Sequence, residues 1–304
     1  MCRYLLWLGL ALAWPGGLRA SGSLEARGSG GIGTWSAGGT VSVDLDKDQH
    51  WSVSGSDDYT SVTDTSAPSA TDDASVVLSY ASGGAWGSKF GLDYSNDSVN
   101  SILYAGPSFG LSYGEPGGDE DAPDLWTLSV DASIHGYQVD LGANSIQSKT
   151  RAGVPYVLVN NNGILDISQF NPGLTFEAPL FSGWLTPSLG YSHDFYNHDP
   201  TLAAQVIARR YTTGSGTLRS TSLVGALYTD TWTAALSLKL FAGWSLEASG
   251  TNSLLVQPLL WIQTASVGLK IPVGKSVTAS VAWTDSIQGE TTDEGWAGSL
   301  SLDF

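Results

Sequence analysis

Gly295-Trp-Ala-Gly-Ser-Leu-Ser-Leu-Asp-Phe304 ends the chain, and its side chains alternate strictly. Trp296, Gly298, Leu300, Leu302 and Phe304 share one face, while Ala297, Ser299, Ser301 and Asp303 share the other. A strand has a period of two residues, so one face of this segment meets an apolar medium and the other meets water. The same pattern recurs upstream. Val41, Val43 and Leu45 alternate with Ser42, Asp44 and Asp46, and Trp86, Ser88, Phe90, Leu92 and Tyr94 oppose Gly87, Lys89, Gly91 and Asp93. Trp126, Leu128, Val130 and Ala132 oppose Thr127, Ser129 and Asp131, and Tyr137, Val139 and Leu141 oppose Gln138, Asp140 and Gly142.

The last third is clearest. Trp232 to Leu240 runs through Phe241-Ala242-Gly243 into Trp244, Leu246 and Ala248. Ala265 to Ile271 runs through Pro272-Val-Gly-Lys275 into Val277, Ala279, Val281 and Trp283. Pro and Gly in short links between alternating segments mark hairpins, so the chain reads as an antiparallel meander. From Ala74 onward about 14 strands are expected, or 16 if Gly39–Asp46 and His50–Asp57 pair into the same wall, with 12 as the other even count; Val206–Arg210 and Leu218–Leu227 alternate least clearly.

The first twenty residues have a different character. Arg3 precedes an apolar run from Tyr4 to Trp14, Pro15-Gly16-Gly17 breaks it, and Leu18-Arg19-Ala20 leads to a cut ahead of Ser21. That is the layout of a secretory signal. The single cysteine, Cys2, falls inside it, so the mature chain would hold no disulfide. The expected division is a signal peptide over 1–20, a Gly/Ser-rich lead over 21–37 and a barrel over 38–304. No later stretch supplies about 18 uninterrupted apolar residues, so a helical span is not expected.

Net charge is −16, or about −18 once Arg3 and Arg19 leave with the signal. Nucleic-acid binding is not expected, because neutralising phosphates needs clustered Lys and Arg. The four histidines, His50, His135, His193 and His198, are dispersed, and neither a metal centre nor a cofactor is expected. Asp119-Glu-Asp121 with Asp124 could hold a hard cation, although a solvated acidic loop is the simpler reading. Arg209-Arg210 reads as a solvated strand end.

The terminal amphipathic strand with its last aromatic, together with the signal, resembles the bacterial outer-membrane β-barrel and porin class. That resemblance implies an all-β, transmembrane, up-and-down antiparallel barrel in the outer membrane of a Gram-negative-type bacterium. It implies Phe304 as the signal read by the outer-membrane assembly machinery. It also implies contacts with outer-membrane lipid and lipopolysaccharide, with small polar solutes as cargo and a homotrimer as one option.

Within that class the C-terminus and short turns lie on the periplasmic side. Counting back from Phe304 then makes Pro272–Lys275, Phe241–Ala242, Gly214–Gly216, Leu180–Gly183, Ile134–Gly136 and Ser95–Asn100 periplasmic. The external links become Ser286–Glu294, Asn252–Gln257, Asn197–Thr201, Ser145–Gln169 and Gly114–Asp124. Thr60–Asp72 is the exception, long yet assigned inside. Trp86, Trp126, Trp232, Trp261 and Trp296 begin descending strands in this scheme, Trp283 ends an ascending one, and Trp184 and Trp244 begin ascending ones. All eight are expected at membrane–water boundaries.

The inward face is expected to be Ser, Thr, Gly, Asn and Gln with Lys89, Asp93, Asp131, Asp140, Glu177, Asp194, Lys239, Glu247 and Lys270 as pore-lining charges. Acids outnumber bases there, which implies a mild cation preference. The expected function is passive diffusion of small hydrophilic or ionic solutes, without enzymatic activity. One alternative is a closed-lumen structural or adhesive barrel acting through its loops. The other is a lipid hydrolase, resting only on the His-x-Ser spacing of His50-Trp51-Ser52.

Overall fold

The computed structural model describes residues 21–31, 34–45, 51–62, 69–81, 85–97, 102–115, 125–140, 149–151, 154–156, 164–201, 227–256, 259–288 and 291–304. Its strands are β1 (Gly22–Gly31), β2 (Thr34–Asp44), β3 (Trp51–Val62), β4 (Ser69–Ala81), β5 (Trp86–Asp97), β6 (Ile102–Glu115) and β7 (Trp126–Asp140). A short hairpin comes next, β8 (Lys149–Arg151) with β9 (Val154–Tyr156). Then come β10 (Ile164–Glu177), β11 (Leu185–His193), β12 (Phe195–Tyr196), β13 (Tyr228–Lys239), β14 (Ser245–Leu255), β15 (Trp261–Pro272), β16 (Val277–Gln288) and β17 (Thr291–Asp303).

Each strand of the wall pairs antiparallel with its neighbours, β7 pairs β10, β10 pairs β11, and β17 pairs β1. The ring is therefore closed. With β11 and β12 as two parts of one stave interrupted at Asp194, the barrel has 14 strands. Closure leaves no open edge, the condition for a sheet in lipid, where an unpaired N–H or C=O costs several kcal/mol. The β17–β1 seam pairs from Gly31 with Gly295 to Ser23 with Asp303 and ends in a reciprocal pair, Phe304 N–H to the Gly22 carbonyl at 2.9 Å and Gly22 N–H to the Phe304 carbonyl at 3.0 Å.

Alternation assigns the two faces. Leu128, Val130 and Ile134 on β7, Leu174 and Phe176 on β10, and Trp296, Leu300 and Leu302 on β17 are exposed on the outside. Their sequence neighbours carry the hydroxyls, amides and charges that meet one another inside. Aromatic side chains gather at both rims, the arrangement that suits an amphipathic ring at a membrane–water boundary. At the rim holding Phe304, the terminal rim, Trp51 packs on Tyr80 (4.7 Å between centroids), and Tyr113 packs between Trp86 (4.9 Å) and Trp126 (5.5 Å). Toward the far rim Trp35 meets Tyr59 at 5.3 Å and Tyr191 meets Trp232 at 4.5 Å.

The number of staves agrees with expectation, but their identity differs. The Gly/Ser-rich lead is not outside the wall: Gly22–Gly31 is β1, and the barrel begins there rather than at residue 38. β2 and β3 are full staves as well. Conversely, Ile134–Gly136 is no turn. β7 runs unbroken through it, paired with β10 along its length. The resemblance to a turn has a local cause: on the other side the β6–β7 pairing skips Gly106 and Pro107, opposite His135 and Ile134, because proline has no N–H to give. β11 pairs directly with β13, so no stave comes between them. Gly214–Gly216, Val206–Arg210, Arg209-Arg210 and most of Leu218–Leu227 lie outside the described residues, as do the first twenty residues.

Removing the turn at Ile134–Gly136 inverts every upstream strand. The link containing Gly114–Asp124 lies at the terminal rim and Ser95–Asn100 at the far rim, the reverse of expectation. Thr60–Asp72 moves to the far rim, which removes the one exception. Trp86 and Trp126 accordingly begin strands at the terminal rim. Trp184 and Trp244 stand at that rim as expected, Trp232 and Trp261 toward the far one, and Trp283 lies directly opposite Trp296 on the next strand.

Candidate functional site: the inward face

Hydroxyls dominate the lining, and they pair across neighbouring strands. Ser29 meets Ser36 at 2.6 Å, Ser56 meets Ser75 at 2.8 Å, Ser249 meets Ser266 at 2.7 Å and Ser280 meets Ser299 at 2.8 Å. Such pairs tie adjacent staves and still offer lone pairs to water or solute, because a hydroxyl both donates and accepts.

Ion pairs are set into this lining by a device absent from the expectation. Arg27 on β1 lies opposite Gly38 on β2, which lies opposite Asp58 on β3. With no side chain on Gly38, the guanidinium crosses β2 and pairs with Asp58, its Nε donating at 2.7 Å and its Nη1 reaching Thr40 at 2.8 Å. The row Lys89–Gly110–Asp131 on β5, β6 and β7 repeats the arrangement, with Lys89 Nζ 2.8 Å from Asp131. Asp93 and His135 face one another across Gly106 on the same three strands at 3.4 Å. A Cβ on Gly38 would strike Asp58, and one on Gly110 would fall 2.5 Å from the Asp131 oxygen. In each row the glycine is the opening through which the side chains on either side meet.

The expected pore-lining residues divide by position. Lys89, Asp93, Asp131, Glu247 and Lys270 are on the inward face, and Lys270 pairs with Glu247 at 2.7 Å. Glu177 and Lys239 end β10 and β13 at the terminal rim. Asp194 faces inward but is buried. Asp140 ends β7 paired with Ile164, and its side chain lies outside the described residues. A recess of about 280 Å³ is lined by Ser52, Ser79, Lys89, Ser112, Ser129 and Asp131. A second, of about 410 Å³, is lined by Glu177, Ser188, Ser237, Glu247, Ser249 and Ser266.

Toward the far rim the lining closes up on one side. Tyr104 meets His135 Nδ1 at 2.7 Å and packs on Tyr137 with ring centroids 4.8 Å apart. The Tyr137 hydroxyl donates to Gln169 Oε1 at 2.9 Å, and Gln169 Nε2 donates to Asp194 at 2.8 Å. Asn171 also donates to Asp194, and the Tyr196 hydroxyl donates to the Tyr228 carbonyl at 2.6 Å. Ile167, Leu227, Leu255 and Ile262 are buried at the same end. Sequence alternation alone puts Tyr137 on the outer face, because it groups Tyr137 with Val139 and Leu141 as a separate strand.

Elsewhere the candidates do not assemble. Ser52 is on the inward face near the terminal rim, with His50 outside the described residues. His193 pairs instead with Asp230 at 2.9 Å. Asp119-Glu-Asp121 and Asp124 lie outside the described residues.

No protein-family model matches the chain, and no curated protein matches it. Solved structures do. A CymD monoaromatic hydrocarbon channel superposes with a TM-score of 0.54 at 10% identity, covering 98% of this chain and 91% of that one. A Pseudomonas aeruginosa FadL homologue gives 0.48 at 11% identity over 97% and 91%. A KdgM porin gives 0.43 at 9% identity over 93% and 99%. The chain has the fold of the bacterial outer-membrane β-barrels.

Proposed function

We propose that this protein is an outer-membrane, porin-like channel for passive diffusion of small hydrophilic or ionic solutes. One observation carries the reading: a closed wall, apolar outside, carries an inward face of hydroxyls and charges. A solute crossing such a wall exchanges part of its hydration for Ser and Thr hydroxyls without cofactor or energy coupling. Pairing of Arg27, Lys89 and Lys270 with acids leaves the remaining inward carboxylates in excess, which favours cations mildly. The signal-like N-terminus and the terminal Phe304 support delivery to the outer membrane.

A second reading, a closed-lumen barrel acting through its loops, is favoured by the buried Tyr137–Gln169–Asp194 network at the far rim. Planar-bilayer recording separates the two. Stable single-channel steps support the channel; an intact barrel with no conductance over long recordings supports the closed lumen.

A further inference from the structure

On the outer wall, a patch of β17, β1 and β2 bounded by Leu300, Leu24 and Trp35 presents almost no side chain. In one row Gly298 lies opposite Gly28 and Gly28 opposite Ala37; in the next, Ala26 lies opposite Gly39. Those two rows continue onto Tyr59 of β3 and, through Asp57 of β3 and Ala74 of β4, onto Tyr94 of β5. A hollow of small residues thus lies directly beside a ridge of two tyrosines. Between them is Asp57, on an outward position and only 8% exposed. Among the described residues its carboxylate has no hydrogen-bond or ion-pair partner. A lone carboxylate facing hydrocarbon is costly, and small residues in a membrane surface allow close approach of another surface.

We propose that this face binds a second copy of the chain in an isologous two-fold dimer. In such an interface the same patch meets itself, so every feature must find its complement within the patch. This patch meets that condition. The tyrosine ridge, with Tyr59 38% and Tyr94 37% exposed, supplies the knob for the hollow of the other copy. Its phenol hydroxyls supply donors for Asp57. The wall strands turn Arg27, Lys89 and Lys270 inward, where each pairs with an acid, so neutral phenol donors, not cations, satisfy the carboxylate.

The test uses the full chain in mild detergent and in liposomes, with Cys2→Ser to remove its one cysteine. Ala37→Cys should give a disulfide-linked dimer, and Leu236→Cys, also exposed but on β13, should not. Light scattering should show a dimer that weakens about a hundredfold with Asp57→Ala, roughly tenfold for each of the two hydrogen bonds to a charged group that the two-fold interface loses. Tyr59→Phe should weaken it too, while heat-modifiable gel mobility shows that each variant remains a barrel. A monomer at every concentration would overturn the proposal. So would a dimer cross-linked through Leu236→Cys and indifferent to Asp57→Ala, or cross-linking at Ala37→Cys that captures only a different protein.

Discussion

Lys89→Ala offers the sharpest test of a charge-lined passage. Lys89 and Asp131 are 54% and 36% exposed at the side chain, so their pair contributes at most about 1 kcal/mol to stability. The variant should fold and keep its size. The perturbation acts on the field, because Asp131 loses its counter-charge. A unit charge about 10 Å from a permeating ion interacts by about 0.4 kcal/mol in water. Screening leaves about 0.3 kcal/mol at 0.01 M salt and about 0.15 kcal/mol at 0.1 M. The effect is opposite for cations and anions, so their permeability ratio should rise about threefold at low salt and less than twofold at 0.1 M. The assay is the reversal potential across a planar bilayer under a potassium chloride gradient, at two mean concentrations. Asp131→Asn should move the ratio the other way. An unchanged ratio in Lys89→Ala, a shift toward anions, or a shift independent of salt would refute the placement of this pair in the ion path.

The packing makes three further outcomes testable. Gly106→Ala should destabilise the barrel by about 1–3 kcal/mol, because its Cβ would lie 2.8 Å from the His135 Cα and the backbone cannot yield; Gly274→Ala, with nothing near, should be neutral in the same urea titration. Tyr137→Phe should cost about 1–3 kcal/mol by leaving the buried Gln169 oxygen without its donor, read by unfolding in micelles. Deleting Phe304 removes the two backbone hydrogen bonds that extend the β17–β1 ladder to its terminal end and should lower the folded fraction on refolding, seen as a weaker heat-modifiable gel band.

Much of the inward set is legible in the sequence because alternation is local: Lys89, Asp93 and Asp131 sit among alternating neighbours, and each strand reports its own two faces. The glycine-spanned rows are not. Arg27, Gly38 and Asp58 come from three strands, and nothing in any one of them signals that their positions coincide. Alternation misplaces Tyr137 for a related reason, since a single supposed turn at Ile134–Gly136 reverses the parity of every later residue in the strand. That site is where β6 fails to pair with β7 at Gly106-Pro107, a fact about a different strand.

By itself the sequence determined that this chain builds a two-sided antiparallel wall ending at Phe304, because period-two alternation and Pro/Gly turns need no distant partner. Only the tertiary structure decided which segments are staves. Gly22–Gly31 has weak strand propensity and no clear apolar face, yet it is β1 because closure presents it with two ladders at once, β17 and β2. Pairing partner, register and closure are non-local, and the lining they assemble exists only once the ring is shut.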